Sequence, residues 1–261
     1  MRKRLDEFLV ELGLLENITV ARAEIMSGRV FVNGVRSDKA GNLVKDDAKI
    51  ELKTKCPYVS RGGYKIAGAI DGFSLDVTDK NCLDIGSSTG GFTDCLLQRG
   101  AKSVCAVDVG VELAWKLRCD ERVRVMEKTN IRHCNKDTFG CEFDFICGDV
   151  SFISLKHVFP VAEEVLSDAG ECVFLVKPQF EAKREDVGQG GIVRDFSVHL
   201  EVLKRVVGYT SLVCIGVLPS PIKGGEGNIE YLIRLKRSGT AIEESEFEKA
   251  VDYAREKFQK N

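Results

Sequence analysis

The chain has 261 residues, is 44% hydrophobic and carries a formal net charge of -2, enough for one large domain plus a small one and too little charge for a global basic field. No apolar run approaches the ~20 residues of a membrane helix, and the charges of Met1–Glu7 have no apolar stretch behind them, so a soluble cytoplasmic protein without membrane contact is expected. The ten cysteines include no Cys-x-x-Cys pair, and Cys82, Cys105, Cys147, Cys172 and Cys214 fall in strand-like runs, as reduced core residues do. His133, His157 and His199 stand apart from cysteines, so no metal site is expected.

Leu5, Phe8, Leu9 and Leu12 are spaced as one face of a first helix closed by Gly13. A second helix starts near Asn17 or Thr19, turns Ala21 and Ile25 inward and stops at Gly28. Arg29–Val32 alternates as a strand and meets Asn33-Gly34, a strong hairpin signal; Asp38–Leu52 supplies further short strands. Residues 1–55 hold eleven basic and nine acidic side chains, so on charge alone this is a solvated surface. The run Arg22-Ala-Glu-Ile-Met-Ser-Gly-Arg-Val-Phe-Val-Asn-Gly34, however, resembles the centre of the S4 RNA-binding domain. That resemblance makes the second helix and the hairpin an RNA face. It offers Arg2, Lys3, Arg4, Arg22, Arg29 and Arg36 as phosphate contacts.

Periodicity breaks around Pro57, so residues 56–60 read as a linker and 61–261 as the large domain. Arg61-Gly-Gly-Tyr-Lys65 then precedes a helical stretch, Ile66–Ile70. Its Arg61 and Lys65 suit a phosphate or a charged reaction centre, with Arg61 a further RNA candidate.

Asn81–Asp94 reads as strand, glycine-rich loop and helix. An acid at the strand end, Asp84, followed by Gly86-x-x-x-Gly90-Gly91, lets the backbone pass close to a small molecule. The spacing is neither the Gly-x-Gly-x-x-Gly of dinucleotide enzymes nor a P-loop, which points away from NAD and ATP. Asp108 ends the following strand, Ser103–Asp108, where an open parallel sheet presents an acid to ribose hydroxyls. Together these features suggest S-adenosylmethionine, with Asp84, Gly86, Ser88, Gly90, Gly91, Phe92, Asp108, Asn130 and Asp149 as its candidate contacts.

Strand and helix signals continue to alternate: Val123–Met126, Phe143–Cys147 before Asp149, a helix from about Ser154 to Ser167 stopped by Gly170, and Cys172–Val176 before Lys177-Pro178. A helix around Phe196–Tyr209 follows, then strands Leu212–Leu218 and Tyr231–Leu235 and a C-terminal helix within Glu243–Lys260. The pattern predicts an α/β, doubly wound, Rossmann-like sheet behind the small α+β module. Ligands of such sheets lie beyond the C-terminal strand ends, where Asp84, Asp108, Asp149 and Lys177 fall. The glycine-rich stretches 188–191 and 223–228 are substrate gates or solvent loops on the same rim.

Lys65, Asp149, Lys177 and Glu230 occur in an order that resembles the Lys-Asp-Lys-Glu tetrad of FtsJ/RrmJ-type ribose 2′-O-methyltransferases. Joined with the S4-like module and the segments Gly-Asp-Val-Ser-Phe-Ile-Ser, Leu-Val-Lys-Pro-Gln-Phe-Glu and Asn-Ile-Glu-Tyr, the whole chain resembles the TlyA (hemolysin A) family of rRNA methyltransferases. The resemblance implies 2′-O-methylation of cytidine in ribosomal RNA, with ribosomal RNA or subunits as partner. Its chemistry would make Lys177 the group that takes the 2′-hydroxyl proton or stabilises the developing oxyanion, with Lys65 a second cation lowering the Lys177 pKa, Glu230 orienting the lysines and Asp149 holding cofactor and Lys177 in register. Two other classes fit the same sequence: an RNA-binding assembly factor with an inactive methyltransferase fold, and a small-molecule methyltransferase.

Overall fold

The computed structural model describes residues 2–26, 28–53 and 56–259; positions 54, 55 and 260, inside the expected first domain and last helix, lie outside them. The chain divides into two compact units, Met1–Pro57 and Tyr58–Asn261.

In the first unit, β1 (Arg2–Arg4) leads into α1 (Leu5–Glu11) and α2 (Ile18–Met26), followed by β2 (Val30–Val32), β3 (Val35–Ser37), β4 (Leu43–Lys45) and β5 (Ile50–Leu52). The Oδ1 of Asn17 accepts the Val20 amide at 3.0 Å and so caps α2. Asn33 and Gly34 both take positive φ, +50° and +78°, and close the β2–β3 hairpin as the sequence predicts. The basic start of the chain, which carries no strand pattern, nonetheless pairs antiparallel with β4. Leu5, Phe8, Leu9, Ala21, Ile25, Val30 and Val44 form a small core.

The second unit begins with α3 (Gly62–Gly72), β6 (Asn81–Ile85), α4 (Gly91–Gln98), β7 (Ser103–Val107), α5 (Trp115–Arg118), β8 (Val123–Met126), α6 (Lys136–Phe139) and β9 (Phe143–Gly148). It continues with α7 (Phe159–Val165), β10 (Leu166–Val176), α8 (Pro178–Glu181), α9 (Phe196–Val207), β11 (Val213–Pro219), β12 (Tyr231–Lys236) and α10 (Glu244–Gln259). Among the described residues these strands form one sheet of order β11-β12-β10-β9-β6-β7-β8. The run from β10 to β8 is parallel, and β12 is antiparallel to both its neighbours.

Side chains alternate between two apolar layers: Leu83, Ile85, Cys105 and Phe174 face one, and Cys82, Val104, Phe145 and Val173 the other. Burial on both faces explains why these strands read as continuous apolar runs. All ten cysteines are free thiols. Two expectations are corrected. The helix expected to run to Ser167 ends at Val165, and Leu166–Gly170 opens β10 with a register shift against β9. Gly62 and Gly63, expected ahead of the helix, instead form the first turn of α3, with Arg61 as its N-cap.

Candidate active site

The loop after β6 bends through three left-handed residues, Gly86 (φ +81°), Ser88 (+46°) and Gly90 (+94°). At Gly86 the requirement is also steric, because a Cβ there would stand 2.8 Å from the Asp149 carbonyl oxygen on the neighbouring strand end. At Gly91 a Cβ would stand 2.8 Å from the Gly63 amide nitrogen. The N-termini of α3 and α4 can therefore approach this closely only with glycine at position 91.

Asp108 accepts the Ser88 amide at 2.8 Å and the Gly110 amide at 2.7 Å, fixing the loop on the end of β7. Asp84 takes a different part from the cofactor contact expected of it. It is fully buried and accepts the Thr93 amide (3.0 Å) and hydroxyl (2.6 Å), anchoring the first turn of α4. Burial pushes its carboxyl up to about 7, and its Oδ1 has no hydrogen-bond partner among the described residues.

Three cavities open above the strand ends. The first, of about 450 Å³, is lined by Arg61, Gly86, Ser88, Gly91, Phe92 and Lys223, among others. The second, of about 400 Å³, takes Asp108, Asn130, Val150 and Phe152 together with Gly86 and Ser88. The third, of about 310 Å³, lies among Phe152, Gln179, Phe180 and Glu230. Asp149 lines the first two, and Lys65, Lys177 and Ser151 line both the first and the third. Asp84 and Gly90 line none of the three; Gly90 shapes the turn as N-cap of α4. Asn130 spends its Oδ1 on the Arg132 amide at 3.1 Å, capping a short turn at the edge of the second cavity.

Where the cavities meet, the four tetrad residues converge from α3, β9, β10 and the start of β12. Lys65 Nζ lies 3.1 Å from Asp149 Oδ2 and 2.8 Å from Glu230 Oε2; Lys177 Nζ lies 2.6 Å from Asp149 Oδ1 and donates to Ser151 Oγ at 2.8 Å. These are not surface ion pairs, for the side chains are only 3–17% exposed. Burial works against the charge of Lys65, but Asp149 and Glu230 outweigh it and raise its pKa. Burial likewise disfavours the Asp149 carboxylate, yet Lys177 and Lys65 hold it below its ordinary value. Glu230 has one close cation, so burial prevails and its pKa rises.

This arrangement corrects the expected role of Lys65. Asp149 bridges the two lysines, so Lys65 is a partner of carboxylates and not an unscreened cation set against Lys177. Pro178 does keep Lys177 extended (φ -111°, ψ 103°) at the end of β10. Ser151, two residues after Asp149, and Gln179, two after Lys177, are site residues that the sequence reading missed. Phe152 and Phe180 form an aromatic wall with ring centroids 5.0 Å apart.

In the first unit most candidate RNA contacts already have acidic partners. Arg4 and Arg22 both reach the buried Asp6 at 2.9 Å, Lys3 pairs with Glu11 and Arg29 with Glu24. Arg2 and Arg36 form no ion pair among the described residues. Arg61, in the second unit, donates to the Lys223 carbonyl oxygen at 3.1 Å.

The chain matches the S4 domain over residues 3–50 and the FtsJ-like methyltransferase over residues 58–237. It is 47% identical to YqxC of Bacillus subtilis (strain 168) over 264 residues, covering 97% of this chain and 94% of that one. It is 39% identical to the 16S/23S rRNA (cytidine-2'-O)-methyltransferase TlyA of Mycobacterium tuberculosis (strain CDC 1551 / Oshkosh), covering 97% of each. The chain belongs to the TlyA family of FtsJ-like methyltransferases. A solved structure from Streptococcus thermophilus, named as a hemolysin, superimposes on this TlyA-family chain with a TM-score of 0.78 at 43% identity, over 100% of this chain and 98% of that one. No described helix is long and apolar enough to cross a membrane, and no described group of His, Cys, Asp and Glu is arranged to hold a metal ion.

Proposed function

We propose that the chain transfers the methyl group of S-adenosylmethionine to the 2′-hydroxyl of a cytidine in ribosomal RNA; the name of its mycobacterial relative states cytidine 2′-O-methylation of rRNA. The observation that carries this reading is the buried Lys65–Asp149–Lys177–Glu230 cluster at the junction of three cavities. Taking four charges out of water is costly, and a hydrophobic replacement is often as stable, so the cluster argues for chemistry over folding.

The cofactor fits the site in two respects: the loop residues Gly86 and Ser88 line both the first and the second cavity, and Asp108 is an acid beside the second. In this reading Gly86, Ser88, Gly91 and Phe92 hold the amino-acid end, and Asp108 accepts from ribose hydroxyls, with Asn130 at the far wall. When bound, S-adenosylmethionine supplies an electrophilic methyl group. Lys177 then meets the reacting 2′-hydroxyl and takes its proton as the oxygen bonds the methyl carbon and the methyl–sulfur bond breaks, its amine fixed in direction by Asp149 and Ser151. Glu230 holds Lys65, and Lys65 balances the second oxygen of Asp149. Phe152 and Phe180 offer stacking faces to a target base turned out of the RNA. The S4 module at residues 1–55 captures RNA, first through Arg2 and Arg36, which form no ion pair among the described residues. A ribosomal substrate places the work in the cytoplasm.

Mapping 2′-O-methyl groups on ribosomal RNA after incubation with protein and S-adenosylmethionine tests the reading. A new methyl on a cytidine ribose is expected; RNA that binds but gains none would instead indicate an assembly factor.

A further inference from the structure

We infer that Gln179 selects the target base, its side-chain oxygen accepting a hydrogen bond from the exocyclic amine of a cytosine seated in the third cavity. The inference rests on the RNA 2′-O-methylation reading above. The third cavity shares Lys65, Lys177 and Ser151 with the first but is lined by neither Gly86 nor Asp108, so it lies on the side of the cluster away from the cofactor loop. A nucleoside whose 2′-hydroxyl meets Lys177 has this cavity for its base, against Phe152 and Phe180. Bases taken out of a stack are held on aromatic faces and read along their hydrogen-bonding edges.

Gln179 supplies the reading group. It lies in α8, and its Oε1 is buried without a hydrogen-bond partner among the described residues. A buried acceptor left unpaired is costly, and because Gln179 lines the third cavity, a turn of its side chain brings Oε1 to the donor of a ligand seated there. The 4-position of a pyrimidine lies across the ring from the glycosidic nitrogen. A base tethered by its ribose at Lys177 therefore turns that position into the cavity. Cytosine carries N–H donors there, whereas uracil carries a carbonyl oxygen. Opposite Oε1, cytosine completes the missing bond and uracil sets acceptor against acceptor.

The test is single-turnover methylation by the full-length protein, saturated with S-adenosylmethionine, of the mapped rRNA target and of the same RNA with that cytidine replaced by uridine. The natural protein should favour cytidine by on the order of ten- to a hundredfold. Gln179→Met, similar in length but without the acceptor, should lose about that factor on cytidine and bring the two RNAs together, with cofactor affinity unchanged. Gln179→Glu keeps an acceptor and should keep the preference, and it decides the matter if the Met variant fails to fold. A Met variant with the natural cytidine-to-uridine ratio, or a Glu variant without it, overturns the assignment of Gln179 and leaves ribose methylation standing. A natural protein that methylates neither RNA overturns both.

Discussion

Lys177 and Lys65 share Asp149 as a common partner, and this coupling governs how substitutions there should behave. Lys177→Ala is expected to lower the single-turnover rate by on the order of 10²–10⁴ while preserving cofactor and RNA affinity, since its role is assigned to the transition state. Lys65→Ala should fall nearly as far, because it leaves Glu230 without its close cation and Asp149 with only one. Groups that act as a unit are non-additive, so the double variant should be scarcely worse than either single one. Single-turnover rates that multiply in the double variant would show that the lysines act separately. The raised pKa of Lys65 sets a pH expectation as well. Stability from its ion pairs is fully present below the unfolded lysine value of about 10.4 and is lost as pH climbs through the higher folded value. Melting curves compared with Lys65→Met should thus keep their difference up to that pH and lose it only above.

The β6–α4 loop works as an element, with Gly86 pressed against the end of β9 and Asp108 tying two amides of the rim. Asp108→Ala removes the proposed acceptor for the cofactor ribose and should weaken binding by about 1.5–3 kcal/mol, read by calorimetry. Part of that loss comes from freeing the Ser88 and Gly110 amides, so Asp108→Asn, which keeps an oxygen for them, should cost less. Gly86→Ala should be worse than a cavity-lining change alone. It forces a side chain into the left-handed region and against the Asp149 carbonyl, and a strained backbone costs on the order of 1–3 kcal/mol. A Gly86→Ala protein with unaltered melting temperature and cofactor affinity would exclude this account of the loop.

For the whole molecule, the proposed function divides the labour between the two units, RNA capture in the first and chemistry in the second. Removing residues 1–57 should abolish modification of RNA while leaving cofactor binding nearly intact, and a truncated protein that still modifies RNA at the full rate would sink the proposal. Within the first unit the arginines are not equivalent. Arg36→Ala should flatten the salt dependence of RNA binding by about one unit of slope without changing stability. Arg4→Ala and Arg22→Ala should also lower the melting temperature, because each strips a partner from the buried Asp6. Those arginines hold the Asp6 carboxyl down at about 2. The stability they give is present above the unfolded aspartate value of about 3.9 and lost as pH falls toward 2, so the natural module should resist acid to near pH 4.

Local chemistry made much of this protein legible in one dimension. Asn33-Gly34 dictates its hairpin because few residues tolerate two successive positive φ angles, and Lys177-Pro178 dictates an extended lysine at a strand end. The doubly wound sheet followed from the alternation of apolar runs with helical stripes, since each strand buried on both faces must be apolar throughout. Only the tertiary structure showed that Asp84 anchors α4 inside the core, that Asp149 stands between Lys65 and Lys177, and that Arg4 and Arg22 answer a buried Asp6. Whether a charged residue is free, paired or enclosed depends on neighbours 2 to 84 positions away in the chain. Those distances are set by packing, and neither the spacing nor the type of a residue encodes them.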